Sequence, residues 1–155
     1  MDEARRTAIA TLRSQIGQPR RRSVSGPIEA GAIRRWAIAV YWPEQPPRRF
    51  WDATVLGGVV APAEFNPFAW PIDPNDRLLE TAPAGPFSRT VNGGTEVTYG
   101  VELRPGDVVT SVSTLVEVTE KVGRSGSLLF QVTEDIWTNQ RGDLVKRTRQ
   151  TIIVS

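Results

Sequence analysis

Chemistry in this chain has to be done without histidine or cysteine, since its 155 residues contain neither. That removes the commonest general base, the commonest metal ligand, disulfide staples, thiolate zinc sites and cysteine nucleophiles together. Carboxylates, hydroxyls, lysine, arginine and backbone groups remain. Three places concentrate them: the run Arg20-Arg21-Arg22, the proline-rich stretch WPEQPPRR over residues 42–49 with Arg48 near its end, and Glu64, which has Asp52 and Asp73 nearby in sequence. Of 19 basic residues 17 are arginine, a composition suited to bidentate phosphate contacts and equally produced by a GC-rich genome. The net charge is +2, and the basic residues gather toward the start of the chain.

The elements that must position these groups read in two textures. Ala8, Leu12 and Ile16 recur every four residues, which predicts a short amphipathic helix over residues 2–16 ending at Gly17. Residues 18–26 (QPRRRSVSG) read as an exposed connector. A second helix is predicted where Ile33, Trp36, Ala37 and Val40 fall at i, i+3, i+4 and i+7, and it must stop before Pro43. Residues 42–49 hold three prolines and are expected to be irregular. The stretch AEFNPFAW after Pro62 is predicted as a short helix, limited by Pro67, and the proline-rich residues 71–88 as a long surface excursion.

The last third is β-rich. Val97, Tyr99, Val101 and Leu103 alternate with polar residues, RPGD makes a turn, and segments 108–122, 128–138 and 144–154 follow, separated by glycine-containing turns. The expectation is a four-strand antiparallel meander, with Phe65, Phe68 and Trp70 against its inner face. The length suits one domain, 39% hydrophobic residues suffice for a core, and no apolar run approaches the roughly 18 residues of a membrane helix. The first residues, MDEARRTAIATL, lack a signal peptide's apolar stretch, so a cytoplasmic protein is expected.

Residues 93–154 resemble the sheet of MaoC-like hydratases and dehydratases, in particular the amino-terminal, dehydratase-like half of their double hot-dog members. The resemblance is carried by RPGD at 104–107, E-K-x-G-R-S-G at 120–126 and T-N-Q-x-G-D at 138–143. Upstream, Ile33 to Val40 resembles the helix before that family's active-site loop, and GGVVAPAEF at 57–65 the start of its central helix. The resemblance spans roughly residues 15–154. It implies an α+β chain with a single hot-dog fold, a curved antiparallel sheet wrapped around a central helix, over residues 18–155, with residues 1–17 as a peripheral helix.

Members of the family hydrate or dehydrate acyl thioesters through an Asp and a His on a loop of the form G-D-x-N-P-x-H, with a backbone amide of the central helix on the thioester oxygen. Laid on residues 42–48, the Asp position is Pro43 and the His position is Arg48, neither of which can act as acid or base there. Pro62 replaces the His of the family's A-H-G. The resemblance therefore implies the non-catalytic half of a pair, shaping the channel for a coenzyme A or acyl-carrier thioester while a second hot-dog supplies the catalytic residues. A homodimer or heterodimer is expected, with no metal or cofactor and no role for nucleic acid or membrane. Arg20, Arg21, Arg22 and Arg48 would face phosphates or an acidic carrier, unless the run is a solvated charge cluster; Phe65, Phe68 and Trp70 would line the acyl channel or the core. Two alternatives stand beside this reading: an acyl-CoA thioesterase using Glu64 as nucleophile or base, as some hot-dog thioesterases use a carboxylate on the central helix, and a non-enzymatic acyl-thioester-binding subunit. A buried Glu64 would favour the thioesterase and an exposed one remove it.

Overall fold

In a computed structural model of the chain, residues 3–68, 87, 89–123 and 126–155 are described. Trp70, Asp73 and most of the expected excursion over 71–88 lie outside them.

Helix α1 spans Glu3–Ser14, with Glu3 in its first turn and Arg13 in its last, each sign favourable to the helix dipole. Its buried residues are Ile9 and Leu12. Ile16 lies beyond the helix and is 40% exposed, so the expected stripe through Ala8, Leu12 and Ile16 is rotated toward Ile9. The chain turns away at Gly17, whose φ of +80° disfavours any side chain and whose N–H donates to Leu115 O at 2.9 Å.

Residues 18–26 are not a free connector. Strand β1, Pro19–Val24, pairs antiparallel with β3, Val109–Gly123. The pairing is made by backbone groups along an outer strand, so no side-chain alternation is needed, and PRRRSV shows none. Helix α2, Ala30–Tyr41, matches the expected apolar spacing: Ile33 and Ala37 are fully buried, although Val40 is exposed. It ends because Pro43 lacks an N–H and excludes its neighbour from helical geometry; Trp42 is extended at φ −52°, ψ 134°.

Strand β4 is Gly126–Asn139, β5 is Leu144–Val154, and β2, which precedes β3 in the chain, is Thr90–Tyr99. The sheet order is β1-β3-β4-β5-β2. Only β3, β4 and β5 form the expected meander; β2 pairs with β5 at the far edge. The RPGD turn therefore crosses the end of the sheet and does not close a hairpin. Leu103 is buried in this crossing, its carbonyl accepting the Ala61 N–H at 2.8 Å. Past Tyr99 the chain stays against β5, Gly100 N–H donating to Val145 O at 2.9 Å, and only glycine fits there, since a Cβ would lie 1.9 Å from Leu144 O.

Directly paired residues share a face, and so do residues an even number apart along one strand. Leu129 pairs Val154, Trp137 pairs Lys146, and Leu115 pairs Thr133, all of one parity on β4. One face of the sheet thus carries two apolar clusters. Ile9 and Leu12 of α1 join Leu115, Val118, Leu129 and Val154 at one end. Ile33 and Ala37 of α2 join Phe50, Phe65, Leu103, Val109 and Val145 at the other, with Trp137 packed against them. The expected helix after Pro62 does not form over residues 63–68, which make turns. Asn66 accepts the Phe68 N–H on its side chain at 3.0 Å, and Pro67 cannot donate, so the segment closes on itself locally.

Candidate functional site

The loop after α2 is held by its own residues. Its only regular piece is a 3-10 turn, Arg48–Phe50, which buries Phe50 against Tyr41 with ring centroids 6.0 Å apart. Trp51 Nε1 donates to Pro46 O at 3.0 Å. Arg48 Nε donates to Asp52 Oδ2 at 2.8 Å, and the Asp52 carboxylate also accepts from the hydroxyl and amide of Thr54 at 2.7 and 2.9 Å. These Thr54 bonds, with Arg48, hold the Asp52 carboxyl at about 2, well below the usual range, so it carries no proton to donate near neutral pH. Arg49 is ion-paired with Glu102. Pro43 offers no titratable group, and the Arg48 guanidinium is engaged with Asp52.

Glu64 is exposed and sits in a turn. The condition for a thioesterase, a carboxylate buried on a helix against the acyl channel, is not met. Arg20, Arg21 and Arg22 lie on β1, far in topology from the loop; Arg20 Nη2 donates to Gln15 Oε1 at 2.7 Å, and a bulge falls at Arg20. The arginine run and the loop are thus not brought together around one centre. Phe65 and Phe68 do fall on the covered face: Phe65 is buried in a T-shaped contact with Trp36 at 5.8 Å, and Phe68 meets Trp137 likewise at 5.2 Å.

Beside α2 lies a cavity of about 740 Å³, open to solvent on one side. Its walls, among the described residues, are residues 26–29, one stripe of α2 that includes Trp36, and residues 65–67. The signal for Trp36 and Phe65 was visible as aromatic residues on a helix and near a proline, but nothing in residues 26–29 (GPIE) marks them as a wall. They are placed by long-range backbone bonds: Ile28 N–H donates to Asp107 O at 2.9 Å and Gly106 N–H to Ile28 O at 2.8 Å. Asp107 itself is buried, accepting from Arg104 N–H at 2.9 Å, Gln140 Nε2 at 2.9 Å and Arg141 Nη1 at 3.2 Å. Burial pushes its carboxyl up, but those donors, Gln140 first, outweigh it and hold it below the usual range. The RPGD and NQRGD turns, read from sequence as separate, thus clamp one another and the segment that walls the cavity.

Fold and sequence together define a class: a single hot-dog domain of the dehydratase type. Residues 14–148 match the FAS1-like dehydratase domain region, and the chain belongs to that family. Among solved structures it is similar to a MaoC-like dehydratase from Rhodospirillum rubrum, at 23% identity over 86% of this chain and 90% of that one, with a TM-score of 0.56. It is similar to the ChsH1-ChsH2 complex of Mycobacterium tuberculosis at 18% identity, covering 96% and 89%, with a TM-score of 0.66. It is also similar to the HadBC (3R-hydroxyacyl-ACP dehydratase) complex of the same organism at 20% identity, covering 86% and 96%, with a TM-score of 0.55. These likenesses show the shared hot-dog fold. No curated protein matches the chain.

Proposed function

We propose that this chain is the substrate-shaping, non-catalytic subunit of an enoyl-thioester hydratase or 3-hydroxyacyl-thioester dehydratase of fatty acid metabolism, acting in the cytoplasm. A second hot-dog chain supplies the Asp and His. The observation that carries the reading is the loop over residues 42–49: its place for an acid is Pro43, its place for a base is Arg48, and Arg48 is tied to Asp52. The chain has no histidine anywhere to substitute. Two of the similar structures are complexes of differently named subunits, which supports a heterodimer. The open side of β2 offers a place for that partner. All ten residues of β2 are exposed, Val97 and Tyr99 among them, and its outer backbone groups have no strand partner among the described residues. The substrate is an acyl thioester of coenzyme A or of an acyl-carrier protein, and no cofactor is needed for adding or removing water this way. Among the described residues no helix is long and apolar enough to cross a membrane.

The test is hydration of crotonyl-coenzyme A, followed as loss of enoyl-thioester absorbance, by the purified chain alone and after mixing with a hot-dog protein that carries the Asp and His, with thiol release monitored in parallel. Activity in the mixture above that of either component alone is expected. Hydration by the chain alone would overturn the assignment, as would thioester binding that never leads to turnover with such a partner.

A further inference from the structure

The two outer strands of the sheet differ in charge. Strand β2 carries one charged residue, Glu96, whereas β1, PRRRSV, carries three arginines and no acid. Between Glu3 and Glu29 the chain holds six arginines and no carboxylate, and the stretch of β3 paired with β1, Thr110 to Thr114, offers hydroxyls and one valine. The acids next across the ladder, Glu134 and Asp135, lie one strand further in, and Glu134 is already met by Arg147 and Arg149. Arg20 donates to the neutral amide of Gln15, which leaves its charge in place. The β1 edge is therefore strongly positive.

The backbone of β1 has no strand partner on its outer side among the described residues. Ser25 N–H donates to Val109 O at 2.8 Å. By the alternation of an antiparallel ladder, the main-chain groups of Ser23 and Arg21, opposite Ser111 and Ser113, then face β3, and those of Arg22 and Val24 point outward. Arg21 and Arg22 stand on opposite faces of the strand. A second copy of β1 laid along this edge would set arginine against arginine, so the edge rejects its own kind.

We propose that β1 binds an extended, acidic segment of another protein as a sixth strand of the sheet, pairing with the outward groups of Arg22 and Val24 while its carboxylates meet arginines on both faces. The interaction is independent of the thioester reading and of a partner on β2, where Glu96 would repel the same segment.

The experiment is fluorescence anisotropy of the full chain with a labelled peptide repeating Glu-Glu-Thr and long enough to span β1, beside the same peptide N-methylated along its backbone and a single-stranded oligonucleotide of equal charge. Saturable binding of the first peptide is expected, weakened about tenfold or more by N-methylation, which keeps the charge and removes the donors. Val24→Pro removes an N–H that β3 does not use and should weaken binding to a similar degree with the unfolding temperature unchanged. Arg22→Gln, at an exposed side chain, should weaken it severalfold. Where Val24→Pro lowers the unfolding temperature, the N-methylated peptide and Arg22→Gln decide. Equal affinity for the N-methylated peptide, an oligonucleotide that binds more tightly, unchanged affinity in the folded variants, or no binding at all overturns the proposal.

Discussion

The two ends of the covered sheet face use the same kind of residues for different ends. At the α1 end Leu115, Leu129 and Val154 are almost completely buried under Ile9 and Leu12. At the α2 end Ile33 and Val109 are buried as deeply, but around them the chain breaks into loops, leaves Trp42 and Leu56 exposed, and leaves a large cavity open to solvent. A helix docked on β-branched and leucine side chains closes a core; a helix carrying alanines on its outer stripe, next to proline-rich turns, leaves space. One half of the sheet face therefore stabilises the domain, and the other trades packing for open volume beside α2.

The contrast can be broken most forcefully at the sealed end. Leu129→Ala should cost about 2–5 kcal/mol, since a fully buried side chain leaves a cavity that its surroundings only partly fill. Denaturant unfolding measures the loss, and crotonyl-coenzyme A hydration by the folded fraction with its partner should stay as in the parent chain. A parallel loss of activity would mean that the two ends are coupled.

Asp107 tests the clamp between the RPGD and NQRGD turns. Replacing it with alanine strands the Arg104 amide and the Gln140 side chain and should cost about 1–3 kcal/mol. Because the turn also anchors Ile28, thioester binding should weaken too, which titration would register. Its carboxyl is depressed in the folded state, so its contribution is fully present above the unfolded value near pH 4 and is lost as pH falls through the lower folded value. The acid limb of a stability profile should accordingly be shallower in Asp107→Asn. The smallest effect belongs to Arg48→Ala. Its ion pair with Asp52 is largely solvent-exposed on the arginine side, so the variant should lose less than about 1 kcal/mol and keep full hydration activity with the partner. A collapse of turnover would place Arg48 on the substrate after all.

Much of this was legible in residue order. The spacing of Ile33, Trp36 and Ala37 marked α2, and alternation and glycine turns marked the last three strands. What misled was whatever depended on distant partners. PRRRSV reads as a linker because an outer strand is held by its backbone, and β2 reads as the neighbour of β3 because sequence order favours the nearest strand. The stretch after Pro62 reads as a helix until Asn66 caps the Phe68 amide.

The sequence alone decided that no histidine or thiol chemistry occurs in this chain, because that property belongs to residue types and survives any folding. The order of the strands, the clamp between two turns 30-odd residues apart in the chain, and the cavity beside α2 were decided only by the tertiary structure. They arise from backbone bonds and packed surfaces between segments that carry no local mark of one another, and the empty volume exists only where those segments fail to meet.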